Sequence, residues 1–235
     1  MNSELSFTGG SRTAPLEIKV SPRAKVMRLR VDSRTGRISL TVPKRTSQRR
    51  ALQWASEQRG WIEAALAEVP EGKPITPGAV IPLLGEPHLI DWRPDQPRTP
   101  RAEAGRIVVG GPAEGLEARI LRWLKREGLS LLSSETCEFA AKAGVSVTRV
   151  GVGDTLSRWG SCSSSGAIRY SWRLILAPSW VRRATVAHEV AHRVHMDHSR
   201  AFHALVKELY GADPSAAREW LRREGAGLHR IGRSR

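Results

Sequence analysis

His188 and His192 stand four positions apart with Glu189 beside the first, an H-E-x-x-H pattern. On a helix, residues i and i+4 project from one face one turn apart, which suits two ligands of a single tetrahedral zinc ion. Glu189 would then lie beside the metal, placed as general base to take a proton from a zinc-activated water that attacks a peptide carbonyl. Five of the seven histidines fall between 188 and 203, so a third ligand is sought among His195, His198 and His203. His195 shares a face with His188, but a rise of about 1.5 Å per residue sets their Cα atoms about 10 Å apart on a straight helix. A chain that leaves the helix near Met196–Asp197 and turns back carries His198 under the metal, and Asp197 or Ser199 can cap a following helix through Tyr210. By geometry His198 ranks first, His203 second and His195 third. Cys162 is the remaining soft donor; as a fourth ligand it would close the site and make it structural.

Other chemistries find less support. Gly160-Ser161-Cys162-Ser163-Ser164 has serine where a G-x-S-x-G nucleophile elbow needs its last glycine. Gly151-Val152-Gly153-Asp154 lacks the glycine spacing and lysine of a phosphate loop. Two cysteines make no disulfide framework and point to a reducing compartment. The N-terminus shows no basic and apolar signal pattern, and no apolar run suits a membrane helix, so a cytoplasmic location without a membrane partner is expected. Thirty-eight Lys and Arg against 23 Asp and Glu leave a formal charge of +15. That balance permits a nucleic-acid partner, but the basic residues are dispersed and not interleaved with aromatics, which favours a soluble surface.

The elements that must position these residues follow from periodicity. Residues 1–15, rich in Gly and Ser, read as a flexible leader. Leu16–Val20, Val26–Val31 and Arg37–Val42 alternate with period two and predict strands, the last two joined by a turn at Asp32–Gly36. Thr46 or Ser47 starts a helix to about Val69, with Trp54 and Trp61 on a common, packed face. Nine of the 14 prolines lie in residues 70–115, where only short strands fit. Leu116 to Gly144 reads as one interrupted helix or two, with Gly128 a possible break. A strand at Val145–Val150 precedes Arg158-Trp159-Gly160-Ser161-Cys162, and a second strand runs Ala167–Leu176, with Ile168, Tyr170, Trp172 and Leu174 on one face and Arg169, Ser171 and Arg173 on the other. The helix carrying the histidines spans Ser179 or Trp180 to about Val194. A last helix runs from Asp213-Pro214 to about Glu224, and residues 225–235 read as a basic tail.

Arg158-Trp159-Gly160-Ser161-Cys162, Trp172-Arg173-Leu174-Ile175-Leu176-Ala177-Pro178 and His188-Glu189-Val190-Ala191-His192 through His198-Ser199 together resemble the YgjP-like metallopeptidase family, a relative of the SprT-like and minigluzincin peptidases. The likeness extends from about Val20 to Trp220-Leu221. Ser171 stands where the family often has Asn, and Val190 where it usually has Leu. The resemblance implies a zinc peptidase fold, Zn2+ on His188, His192 and His198, and Glu189 as the catalytic acid. The expected fold is α+β: a β-rich N-terminal region with one helix (16–115), then a zincin-like metallopeptidase domain (116–224) with its H-E-x-x-H helix beside a small mixed sheet. The strand after Cys162 would border the cleft, where an extended peptide or protein substrate could add as a further strand. Arg158, Trp159 and Tyr170 are candidate substrate-binding residues, and Arg158, Tyr170 and His203 candidate oxyanion donors. Two alternatives remain: a DNA-associated protease of SprT-like type, and a binding module with a structural zinc site.

Overall fold

The computed structural model describes residues 5–32, 35–69, 71–155 and 157–233. Among them lie six α-helices and three small sheets, a mixed α+β arrangement. The chain divides between Gly72 and Lys73 into two units. None of the described helices is long and apolar enough to cross a membrane.

In the first unit the alternating segments pair as expected, but strands begin earlier. β1 (Ser6–Gly9) and β2 (Arg12–Ser21) form an antiparallel hairpin, so the leader expected over 1–15 is replaced from Ser6 onward by sheet. Phe7, buried in the unit's core, anchors that hairpin; the neighbouring Gly and Ser obscure its alternation. β3 (Arg28–Val31) and β4 (Ile38–Pro43) complete the order β1-β2-β4-β3, with β2 and β4 parallel. Ser33 and Arg34 of the expected turn lie outside the described residues; Gly36 within it takes φ +72°. Ser47 caps α1 (Gln48–Glu57) by accepting the Arg50 amide, and the helix breaks at Gln58 before α2 (Arg59–Ala67). Ile38, Leu40 and Val42 face Ala51, Ala55, Ile62 and Leu66. Trp54 packs on this core, whereas Trp61 is 53% exposed and does not share its role.

The second unit holds everything from Lys73 to the C-terminal helix. β5 (Val80–Leu83), β6 (Glu86–Trp92), β7 (Arg101–Glu103) and β8 (Arg106–Val109) form a sheet in the order β5-β6-β8-β7. The Pro-rich composition of 70–115 suggests a boundary near 115, but the contacts do not. Leu84 and Gly85, at the β5–β6 turn, donate to the carbonyls of Ile175 and Leu176, and Ile81, Ile90, Ile107 and Val109 share a core with Leu116, Ile120, Trp172 and Val181. Burying each such aliphatic side chain stabilises the fold by about 1.5–3 kcal/mol, which outweighs any local change of composition.

α3 (Leu116–Ala143) is a single helix of 28 residues, uninterrupted at Gly128. A Cβ there would meet the Trp172 carbonyl oxygen at 3.4 Å, an ordinary contact distance, so the helix runs through this position without a break and packs on the segment carrying Trp172. β9 (Arg149–Gly153), β10 (Gly160–Cys162) and β11 (Ala167–Ser171) form a second sheet in the order β10-β11-β9. The expected strand to Leu176 ends at Ser171, where a 3-10 turn, Trp172–Leu176, takes over with all five side chains buried. α4 (Ser179–Ala191), α5 (Arg200–Tyr210) and α6 (Ser215–Arg230) follow. Residues 225–233 are no tail: α6 continues to Arg230, Leu228 and Ile231 are buried, and Ile231 bridges to Lys73. Ser234 and Arg235 lie outside the described residues.

Candidate metal centre

α4 is held by its apolar side. Val186, Ala187, Val190 and Ala191 pack with Leu132, Phe139, Tyr170, Phe202 and Val206, which turns His188 and His192 toward the opening. Upstream on the same helix, the buried Arg182 guanidinium donates two bonds of 3.0 and 2.9 Å to Glu135 on α3. The helix stops at Ala191, before the expected Val194: the amides of Val194 and His195 both donate to the Ala191 carbonyl, tightening the last turn. Asp197 then accepts the Ser199 amide, and Ser199 caps α5 by accepting from Phe202. His198 therefore sits at the pivot between two helices and is carried back to the pair.

The ligand-capable atoms of His188, His192 and His198 all lie within 4.8 Å of one another. Nε2 of His198 is 3.4 Å from Nε2 of His188. Phe202 packs against all three rings, stacked on His192 at a centroid distance of 4.4 Å. His192 Nδ1 is 3.0 Å from the His195 carbonyl oxygen; a carbonyl can only accept, so Nδ1 carries the proton and Nε2 keeps its lone pair. Burial, reinforced by His192 and His198, pushes the His188 pKa down to about 4, so that ring is neutral near pH 7. Three imidazoles whose ligand-capable nitrogens converge are a good fit for a borderline divalent cation. His195 contributes its carbonyl, not its ring. His203 is exposed, its ring centroid 6.3 Å from that of His198, and stands outside the cluster.

Glu189 is 5% exposed and lines, with His188, Arg158, Trp159, Gly160, His203 and Arg218, a cavity of about 260 Å³. Burial raises its pKa to about 7, against the opposing pull of Arg158. The approach of its carboxyl group is possible because residue 160 is glycine: a Cβ there would stand 2.6 Å from Glu189 Cγ and Cδ. The W-G-S-C segment and the H-E-x-x-H helix are thus in contact. The opposite wall is set by Trp159, whose ring stacks on His229 of α6 at 4.8 Å and lies against Gly225.

Two expectations about the wall change. β11 lies between β10 and β9, so the sheet edge on the W-G-S-C side is β10 itself, not the strand after it. Tyr170 is fully buried, its hydroxyl 3.0 Å from Thr136 Oγ1, and it belongs to the core beneath α4 and not to the cavity. The strand alternates as expected, but the Tyr170 face is the inner one. Burial pushes the Tyr170 hydroxyl pKa far up, which suits a core hydroxyl. Arg173, expected on the face opposite Tyr170, is also buried, at 1% exposed: it ion-pairs with Asp154 and donates to the carbonyls of Leu228 and Ile231, fastening the end of α6. Desolvation lowers its pKa to about 10. The arginine–glutamate pair of α4 and α3 and the α6 contribution carry no spacing signal; Phe202 beneath the histidines, four residues after His198, had a local one, missed from sequence alone. Cys162 lies outside the histidine cluster, and burial pushes its thiol pKa up.

Comparison with known proteins agrees with this geometry at the level of family. No curated protein and no solved structure was found to match the chain. A family model described as YgjP-like, metallopeptidase domain, matches residues 25–224, which take in most of both units and every residue of the histidine cluster. The chain belongs to the YgjP-like metallopeptidase family.

Proposed function

We propose that the protein is a zinc-dependent peptidase, with His188, His192 and His198 holding the metal and Glu189 serving as general base toward a peptide or protein substrate. The observation that carries this reading is the buried Glu189 carboxyl in the same cavity as His188, with a pKa raised to about 7. A zinc ion, when bound, supplies Lewis acidity, acidifying a water and polarising a carbonyl oxygen. The chain's own residues do the rest. Glu189 takes the proton of the attacking water, holds it on its carboxyl oxygen and returns it to the leaving amine; a pKa near the working pH suits a group that must do both. The free edge of β10 offers backbone groups to an extended peptide and so aligns the scissile bond along the cavity. Arg158 and His203, both lining that cavity, are the remaining candidate donors to the oxyanion.

Glu189→Gln tests the reading. The variant should keep its metal, because no ligand changes, and should lose hydrolysis of a quenched-fluorescent peptide mixture. Turnover equal to that of the unaltered protein would sink the proposal. Loss of folding stability on chelation, without turnover in either form, would favour a structural site.

A further inference from the structure

Strand parity gives the sheet beside the histidines two unlike faces. Gly160, Ile168, Tyr170, Val150 and Val152 point to the core and α4. Ser161 pairs with Arg169 and Arg169 with Gly151, so these three, with Arg149 and Gly153, share the other face. That face is the floor of a concavity of about 620 Å³ whose charged side chains are Arg149, Arg158 and Arg169. No carboxylate lines it, and among the described residues none of the three arginines is ion-paired. Elsewhere some exposed arginines are ion-paired, Arg93 with Asp91, Arg126 with Glu127 and Arg222 with Glu219, while others such as Arg28 and Arg200 stand singly among the described residues; Arg149, Arg158 and Arg169 differ in sharing one concavity. The glycines keep the floor low. A Cβ at Gly153 would stand 2.6 Å from Arg169 Nε, so the Arg169 guanidinium lies across that glycine, while nothing comes within 4 Å of a Cβ on Gly151. Arg158 also faces Glu189 in the adjoining cavity, but no carboxylate lines this concavity, so the guanidiniums that line it repel one another and an anion laid among them relieves that repulsion.

Arg158 lines both this concavity and the cavity of Glu189, so the two meet at its side chain. Between them runs β10, which among the described residues pairs with a strand on one side only. An extended peptide on its free edge would send alternate side chains to opposite faces, one set toward Glu189 and the other over the arginines. Arg169, on β11, would be two strand spacings from that peptide, about 10 Å, a span that an arginine and a glutamate side chain close together; Arg149, on β9, would be three spacings away, about 14 Å, at the outer end of that reach. We propose that this arginine face selects acidic side chains at alternate positions of the peptide, with Arg149 and Arg169 as specificity-determining residues; the proposal rests on the peptidase reading of the adjoining cavity.

The test uses the full chain carrying Glu189→Gln, so that bound peptide is not consumed. Fluorescence anisotropy compares a labelled peptide of alternating glutamate and alanine with its glutamine counterpart. The acidic peptide should bind about tenfold more tightly, an advantage that shrinks as salt is added. Arg169→Glu should remove most of that advantage and Arg149→Glu, one strand further out, a smaller share, with Arg169→Gln and Arg149→Gln each losing less than its Glu counterpart; neither side chain lines the cavity of Glu189, and a graded loss marks charge and not misfolding. Equal affinity for both peptides, or no response to the four variants, overturns the proposal even if the unaltered enzyme cleaves both peptides. Arginine-dependent binding of the acidic peptide without cleavage by the unaltered enzyme leaves the acidic-peptide face standing and removes the peptidase reading. Tighter, arginine-dependent binding of a single-stranded oligonucleotide that displaces the peptide overturns the proposal in favour of nucleic acid.

Discussion

Residue 160 and the carboxyl group of Glu189 compete for one volume between β10 and α4: a Cβ on Gly160 would stand 2.6 Å from Glu189 Cγ and Cδ. The demand is purely steric, since Gly160 is not among the glycines with positive φ. Gly160→Ala should therefore displace Glu189 without touching a histidine. Displacement of a catalytic group by about 1 Å costs about a hundredfold in rate. Peptide hydrolysis should fall by that order while metal content, measured by atomic absorption, stays unchanged. Activity at the unaltered level would separate Gly160 from the function of Glu189.

His195 and His198 should respond in opposite ways. Only the backbone carbonyl of His195 serves the site, by accepting from His192 Nδ1, whereas the His198 ring itself faces His188. His195→Ala should leave metal affinity within a few-fold of the unaltered protein, because alanine keeps the carbonyl. His198→Ala should cost more than the 10–100-fold (about) that loss of an outer-shell partner costs. Competition with a chromophoric chelator measures both, and equal losses would argue that His195 has been misassigned.

Arg182 and Glu135 are 5% and 8% exposed, so each depends on the other for charge compensation. Glu135→Ala strands a buried guanidinium and should cost about 3–5 kcal/mol in urea unfolding. Replacing both, Arg182→Met with Glu135→Leu, should restore most of that loss, because Arg182 Nη1 already lacks a hydrogen-bond partner and the bridge is not fully satisfied. A double variant no better than the single one would mean that the ion pair itself positions α4.

The histidine cluster was legible because its information is local: i, i+4 spacing, a helix stop and a Ser199 cap lie within a dozen residues. Parity was legible too, in that Tyr170 and Arg169 were assigned opposite faces of one strand. Which face was buried was not, since that depends on α3 supplying Thr136 from 34 residues away. Arg173 continues the alternation of the preceding strand in sequence, but it lies in a 3-10 turn and its burial depends on Leu228 and Ile231, whose carbonyls arrive from 55 and 58 residues downstream. Contacts of similar range, from Leu84 and Gly85 to Ile175 and Leu176, place β5 to β8 in the unit that carries the histidine cluster, against the change of composition at 70–115. Local pattern reports the period of an element; the identity of what covers it is a property of the assembled chain.

Two glycines inside helices make the last comparison, because helix propensity alone predicts the same gain for both. Replacing a mid-helix glycine by alanine stabilises a helix by about 1 kcal/mol where the new methyl fits. On α3 it fits: a Cβ at Gly128 meets the Trp172 carbonyl oxygen at 3.4 Å and Ile175 Cβ at 3.7 Å, ordinary contact distances. On α6 it does not: a Cβ at Gly225 would stand 2.7 Å from Trp159 Cζ2, and Trp159 is backed by His229. Overpacking of that kind costs about 1–3 kcal/mol, more than the propensity gain. Gly128→Ala should thus raise the Tm and Gly225→Ala lower it, with the second also narrowing the cavity beside Glu189 and reducing peptide affinity. A rise in both would mean that Trp159 yields, and hence that the wall of the cavity is set by something other than its contact with α6.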